Sequence, residues 1–156
     1  MNYSVKKRLL LLIAPIIAVI LESLPYGVIM KFADGPDSTF TVTYSYFSLT
    51  PFGWAYYGPL PAAVLTCVLV MLTLIYTARP TNALGRTAGI LSIAAAILSA
   101  SPIIFVFLGM ALSDTFTLTG AAVTLLLILE GVLFLLPEKA KVITDRSDTE
   151  KTDQDK

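Results

Sequence analysis

The segment Tyr44-Ser-Tyr-Phe-Ser-Leu-Thr-Pro-Phe-Gly-Trp-Ala-Tyr-Tyr-Gly-Pro-Leu-Pro61 connects two apolar runs and decides how the chain folds. Proline and glycine interrupt its aromatic residues and disfavour regular structure. Tyrosine and tryptophan rings collect at the lipid headgroup level, because each has an apolar body and a polar edge. The segment is therefore predicted to lead into a membrane span. Its candidate interaction surface consists of the aromatic residues Tyr44, Tyr46, Phe52, Trp54, Tyr56 and Tyr57.

Composition indicates a membrane protein for the whole chain. Of 156 residues, 56% are hydrophobic and 14% are charged, and the mean hydropathy is +0.78, which is more apolar than a soluble core can bury. A formal net charge of zero gives no electrostatic support for nucleic-acid binding. The chain has no histidine and one cysteine, Cys67, so zinc sites, disulfides and Cys-His nucleophiles lack their residues. We expect no enzymatic activity, metal or cofactor.

Four apolar runs predict four transmembrane helices over residues 5–24, 60–78, 86–110 and 118–136. The first is expected to stay in the protein rather than be cleaved as a signal peptide. The reason is that Glu22-Ser-Leu-Pro25 follows it, in place of a small-residue cleavage site. Pro15 predicts a kink in this helix, and Pro102 an interruption of the third. The segment from Arg79 to Arg86 is predicted to be a tight return.

Residues 28–46 are predicted to form a β-hairpin. Asp34-Gly-Pro-Asp37 is a strong turn signal, and apolar residues alternate with Thr and Ser from Thr39 to Tyr46. An open sheet edge cannot be satisfied in lipid, so the hairpin must lie outside the hydrocarbon. Its Phe40-Val42-Tyr44-Tyr46 face is expected to pack on the outer helix ends. The expected fold is an all-α four-helix transmembrane bundle with a small extracytoplasmic β-hairpin between helices 1 and 2, followed by an aromatic loop, the two together covering residues 28–59.

Basic residues predict the orientation of this membrane domain, residues 1–137. Lys31 alone lies on the hairpin side, whereas the opposite side carries Lys6, Lys7, Arg8, Arg79, Arg86, Lys139, Lys141 and Arg146. The positive-inside rule then puts both termini in the cytoplasm of a multi-pass cell-membrane protein. Residues 138–156 form a charged cytoplasmic tail that is expected to be disordered at its end.

A stripe of small residues on the third helix indicates close helix packing. These residues recur at steps of three and four, and they are Gly85, Gly89, Ser92, Ala96 and Ser99. In lipid, a small-residue face lets another helix approach closely and gain dispersion contacts.

Glu22 and Glu130 are the charged residues inside the apolar spans, and they form the candidate proton or cation site. Because an ionised carboxylate in hydrocarbon is costly, both are expected to face the bundle interior. At 1.5 Å per residue they lie about 20 Å and about 10 Å from the cytoplasmic edge, so they should not touch. Three interpretations stay open: a protonated structural group, proton or cation handling, and, for Glu22, a place at the outer interface.

The same count of helical rise predicts two layers in which hydroxyl groups meet a carboxyl group. The layer of Glu22 is expected to contain Thr66 with Ser99 or Ser101. The layer of Glu130 is expected to contain Thr73 and Ser92.

The aromatic segment from Tyr44, together with Leu24-Pro-Tyr-Gly27, resembles small uncharacterised four-span membrane proteins of bacteria. The layout of one helix, a strand-bearing outer loop and three more helices is also similar to claudin-type tetraspans. Claudins carry a tryptophan and a cysteine pair in that loop, whereas the loop of this chain has Trp54 and no cysteine. Glu22 followed by Met30-Lys-Phe-Ala-Asp-Gly35 is similar to the opening of small multidrug resistance transporters, which implies an intramembrane glutamate used in transport.

Two functions follow as hypotheses. The first is a non-enzymatic packing or interaction protein, whose partners are the lipid bilayer and either another membrane protein or a second copy of itself. The alternative is a small proton-coupled or cation-binding transporter that uses Glu22 or Glu130. A transporter requires a polar pathway, and an interaction protein requires an exposed apolar patch on the outer loop.

Overall fold

The computed structural model describes residues 3–35, 38–52, 57–101 and 117–136. Within these ranges, the elements in chain order are α1 Tyr3–Ser23, β1 Val28–Ala33, β2 Thr39–Tyr44, α2 Pro59–Ala78, α3 Asn82–Ser99 and α4 Leu118–Leu135. Helices α2, α3 and α4 are each long and apolar enough to cross a membrane. The prediction of a mostly helical membrane protein with a small antiparallel hairpin is therefore confirmed. The spanning role of α1, which carries three basic residues at positions 6–8, stays a prediction.

The four helices pack as a bundle with alternating directions. Helix α3 packs against α2 and α4, and α1 packs against the same two helices. The Lys7 ammonium donates to the Leu136 carbonyl at 3.2 Å, which joins the start of α1 to the end of α4. At the opposite end, the Thr117 hydroxyl donates to the Gly27 carbonyl at 3.0 Å. One end of the bundle is therefore basic, and the other carries the hairpin.

The small-residue stripe of α3 lies against α4 of the same chain. All five of its residues are buried. A Cβ atom added to Gly131 of α4 would lie 3.3 Å from the Gly89 carbonyl oxygen, and one added to Gly89 would lie 3.1 Å from the Phe134 Cβ. The expected close approach of another helix is thus met within the chain, and the stripe offers no free surface to a partner.

The prediction for the start of the third helix was wrong by four residues. Helix α3 begins at Asn82 because the Thr81 hydroxyl accepts a hydrogen bond from the Leu84 amide at 3.3 Å and acts as the N-cap. The return is therefore shorter than predicted. The helix ends at Ser99 rather than at residue 110. The predicted interruption at Pro102 lies outside the described residues, as does the tail.

The hairpin prediction is confirmed. Strands β1 and β2 pair antiparallel, from Val28 opposite Tyr44 to Ala33 opposite Thr39. Phe32 and Phe40 stack on one face, with ring centroids 5.3 Å apart. The strand ends at Tyr44 because the chain then turns inward, and the Tyr46 amide donates to the Glu22 carbonyl at 2.9 Å. We call described residues 27–35 and 38–52 the hairpin cap.

Gly58 provides a test of how closely α2 meets the end of α3. Its backbone is α-helical, with φ −76 and ψ −47, so alanine is conformationally allowed there. An added methyl group would nevertheless overlap the Leu98 carbonyl oxygen and the Ser101 hydroxyl. We expect Gly58→Ala to lower the free energy of unfolding by about 1–3 kcal/mol. Thermal unfolding in detergent measures this loss.

Gly85→Ala is the matched control. The nearest atom to an added methyl group there is 3.4 Å away, which is an ordinary contact. Alanine also favours a helix over glycine by up to about 1 kcal/mol. Gly85→Ala should therefore keep or raise the melting temperature, and equal losses in both variants would contradict the packing described here.

Candidate functional site

Glu22 lies in the last turn of α1 and is 0% exposed. Ala14 and Ala18 precede it at helical spacing and are also buried, which places all three on the inward face. The expectation that this carboxyl group faces the bundle interior is confirmed. It lies beneath the hairpin cap, whose Tyr46 is bonded to the Glu22 backbone.

The Thr66 hydroxyl is the direct partner of the Glu22 carboxyl group. Its Oγ1 lies 2.9 Å from Glu22 Oε1 and 2.9 Å from the Ala62 carbonyl oxygen. A hydroxyl group has one proton to donate and can also accept. If Thr66 donates to Ala62, the second contact is satisfied only when a protonated Glu22 donates to Thr66. If Thr66 instead donates to Glu22, the same contact suits a carboxylate, so the geometry accommodates both forms of the carboxyl group. The predicted Glu22-Thr66 contact is confirmed.

Three further hydroxyl groups form a chain across the same end of the bundle. The Tyr46 and Ser99 hydroxyl oxygens are 3.0 Å apart, and those of Ser99 and Thr124 are 2.9 Å apart. The Thr124 hydroxyl is also 2.9 Å from the Gly120 carbonyl oxygen, which can only accept. All three side chains are buried, so these hydrogen bonds satisfy hydroxyl groups that have no contact with solvent. It ties the hairpin cap to α3 and α4.

Tyr46 seals the site from the hairpin side and is 2% exposed. Burial raises the pKa of its phenol above the ordinary value of 10.0, the bond to Ser99 opposes this shift, and the nearby Glu22 carboxyl adds to it. Its ring also lies against Gly27, where an added Cβ would be 2.5 Å from the ring Cδ1. Glycine at this position is required for the close approach of the ring.

Glu130 is also 0% exposed, in the middle of the α4 face that packs in the bundle. Neither of its carboxyl oxygens has a hydrogen-bond partner among the described residues, and Glu22 Oε2 has none either. The hydroxyls of Ser92 and Thr73, predicted to surround Glu130, instead donate to the carbonyls of Leu127 at 2.7 Å and Val70 at 2.8 Å. Among the described residues, the Glu22 layer is thus formed by Thr66 alone, since Ser99 bonds Tyr46 and Thr124 instead. The predicted contacts of the Glu130 layer are not formed.

The predicted aromatic surface divides into three parts. Tyr46 is buried, so its assignment to an exposed interaction surface was wrong, and Tyr44 is half-buried. Phe52 and Tyr57 are exposed and meet edge to face at 5.6 Å. Trp54 and Tyr56 lie outside the described residues. Exposed apolar side chains that were not assigned to this surface also occur on the hairpin cap, and these are Phe40, Phe47 and Leu49.

Comparisons of the chain with protein-family models, with curated proteins and with solved structures find no match. The site must therefore be interpreted from its own geometry. Within the described ranges, no group of three or more His, Cys, Asp or Glu residues is placed to hold a metal ion. The site consists of the Glu22 carboxyl group, the Thr66 hydroxyl bonded to it and the buried Tyr46 above them.

The raised pKa of Tyr46 predicts how the seal responds to alkali. Because the folded value lies above the ordinary 10.0, the stability that neutral Tyr46 contributes is complete below about pH 10. It is lost as the pH rises through the folded value. With Glu22→Gln present, so that no charge forms beneath the ring, the tyrosinate absorbance difference between chains with and without Tyr46→Phe should therefore develop only above pH 10. A difference that develops below pH 10 would contradict a buried phenol.

Proposed function

We propose that this chain is a non-enzymatic, multi-pass protein of the cell membrane that reversibly binds a proton at Glu22 beneath the hairpin cap. The observation that carries the proposal is the Thr66 hydroxyl, placed between the Ala62 carbonyl and the Glu22 carboxyl at 2.9 Å from each. The Thr66 hydroxyl can accept from a neutral carboxylic acid while it donates to Ala62, or it can donate to an ionised carboxylate. It gives an ionised carboxylate one hydrogen bond at most.

The environment of Glu22 supports a site that changes with its proton. An intramembrane ionisable residue is costly as a charge and usually marks an ion or proton site. The second oxygen, Oε2, is buried without a partner among the described residues. Ionisation would leave a negative charge on this buried carboxyl group, so water or a cation would have to reach it. We therefore assign the arrangement with Tyr46 over Glu22, which we call the closed cap, to the protonated form of Glu22.

The hairpin cap is the part that would open to admit water. The Tyr46 amide is bonded to the Glu22 carbonyl, and the Tyr46 hydroxyl reaches Ser99 from the same loop. Displacing this one residue would uncover the carboxyl group without separating the helices. We infer that acid favours the closed cap and that alkali favours the open one, because only the open site hydrates a carboxylate.

Glu22→Gln tests this coupling, since an amide has a similar size and hydrogen-bonding capacity but cannot titrate. Hydrogen exchange of the amides around Tyr46 is measured from about pH 5 to about pH 9, after correction for the intrinsic rate. We expect the wild type to lose protection as the pH rises and Glu22→Gln to keep it throughout. Infrared difference spectra should show a protonated carboxyl band that Glu22→Gln lacks.

Glu130→Gln is the matched control, because Glu130 is also a buried intramembrane carboxyl group but is not bonded to the hairpin cap. It should retain the pH dependence of protection around Tyr46. Unchanged pH dependence in Glu22→Gln would overturn the proposal. Binding of lipophilic cations that weakens on acidification and disappears in Glu22→Gln would extend it to proton-coupled transport.

The proposed orientation puts the basic end in the cytoplasm and the hairpin cap outside. Cys67 is exposed on α2, so its replacement by alanine gives a background without thiols. In sealed right-side-out vesicles, an impermeant maleimide should label Thr39→Cys at once. Ala83→Cys, exposed at the basic end, should react only after permeabilisation. The reverse labelling pattern would show that the protein has the opposite orientation in the membrane.

A second candidate function is binding of another membrane protein through the hairpin cap. It is favoured by the exposed Phe47 and Leu49, the latter 73% exposed on the cap. Photocrosslinking from position 49 in native membranes should give one discrete heterologous product. Leu118, which is 89% exposed at the start of α4, is the control position. The same products from both positions would indicate random contacts and exclude this function.

A further inference from the structure

A cavity of about 290 Å³ lies at the basic end of the bundle. It opens where the start of α1, the end of α2, the start of α3 and the end of α4 meet. The rings of Tyr76 and Phe134, in edge-to-face contact at 5.3 Å, form part of its wall. Leu135 and Leu136 also line it and are 49% and 53% exposed. The cavity therefore borders both polar helix ends and a lipid-facing surface.

Two cationic side chains line this cavity, Lys7 and Arg86. The Lys7 ammonium has three donors, and one is directed to the Leu136 carbonyl. Arg86 is exposed and brings the five donors of its guanidinium group. The cavity thus has more hydrogen-bond donors than its own walls use.

The start of α3 adds backbone donors at the same place. Thr81 and Asn82 line the cavity, and the first helical amides bonded to Thr81 are those of Leu84 and Gly85. The amides of Asn82 and Ala83 precede the internal bonds of the helix and carry the positive end of its dipole. Such a helix start favours the binding of anions.

No carboxylate among the described residues is available to neutralise this charge. Those carboxyl groups belong to Glu22, Asp34 and Glu130. Glu22 and Asp34 are at the hairpin end of the bundle, and Glu130 is fully buried in its interior. The cavity is therefore a net positive site within the described part of the chain.

We propose that this cavity binds the phosphate group of an anionic membrane phospholipid. Lys7, Arg86 and the start of α3 contact the phosphate, and the acyl chains leave across Leu135 and Leu136. The cavity volume lies just below the range of about 300–1,000 Å³ for ligand pockets, so the cavity takes a headgroup and not a whole lipid. Basic pockets between helices on the cytoplasmic side suit such headgroups. This proposal is independent of proton binding at Glu22.

The test measures thermal stabilisation of the full chain in detergent on titration with three probes. These are phosphatidylglycerol, phosphatidylcholine with the same acyl chains, and inorganic phosphate. We expect saturable stabilisation by phosphatidylglycerol and none by the other two. Arg86→Gln should weaken the apparent affinity about fivefold, the effect of removing one cation near an anionic headgroup. Lys7→Gln should act in the same direction.

Arg79→Gln is the matched control, because Arg79 is exposed near the same end but does not line the cavity. It should retain the wild-type affinity. Equal losses in Arg79→Gln and Arg86→Gln would show diffuse attraction and overturn the site. Equal stabilisation by phosphatidylcholine would show that the cavity does not recognise the negative charge of the lipid and would overturn the proposal. Stabilisation by inorganic phosphate at the same concentration would replace the lipid with a free anion and overturn the proposal.

Discussion

The hydrogen bond from the Tyr46 amide to the Glu22 carbonyl is the constraint on which the outer half of the molecule depends. It turns the chain inward directly after β2 and brings the tyrosine ring over the end of α1. An isolated two-stranded hairpin is only marginally stable in water. Here the hairpin is stabilised because Tyr46, two residues after β2, is fixed to α1 by its backbone amide and to α3 by its phenol.

The interior of the bundle combines two kinds of packing with different physical causes. Small residues on α3 let α4 approach until glycine backbones nearly touch, which gains dispersion contacts where lipid offers no hydrophobic drive. Hydroxyl groups then bridge the helices at a few places, as Ser92 does to the Leu127 carbonyl. The buried carboxyl groups are the exception, since three of their four oxygens lack a partner among the described residues.

The parts of the fold that follow a local pattern were predictable from the sequence. Alternation from Thr39 and the turn after Asp34 predicted the hairpin, and helical rise alone placed Thr66 beside Glu22. Other features depend on three-dimensional contacts. The start of α3 was mistaken because the Thr81 cap signal lies between two arginines that indicated a loop. Tyr46 was assigned both to the packing face of the hairpin and to the candidate interaction surface, because nothing in the alternation shows which ring meets Ser99, 53 residues away.

The hydroxyl chain of Tyr46, Ser99 and Thr124 also bears on the order in which the protein can be assembled. Chains fold from the N-terminus as they are made, and the hairpin precedes α3, whose Ser99 bonds the Tyr46 hydroxyl. Until α3 has been made, the Tyr46 hydroxyl lacks Ser99, its partner among the described residues. Closing the hairpin cap must therefore be a late step of biogenesis.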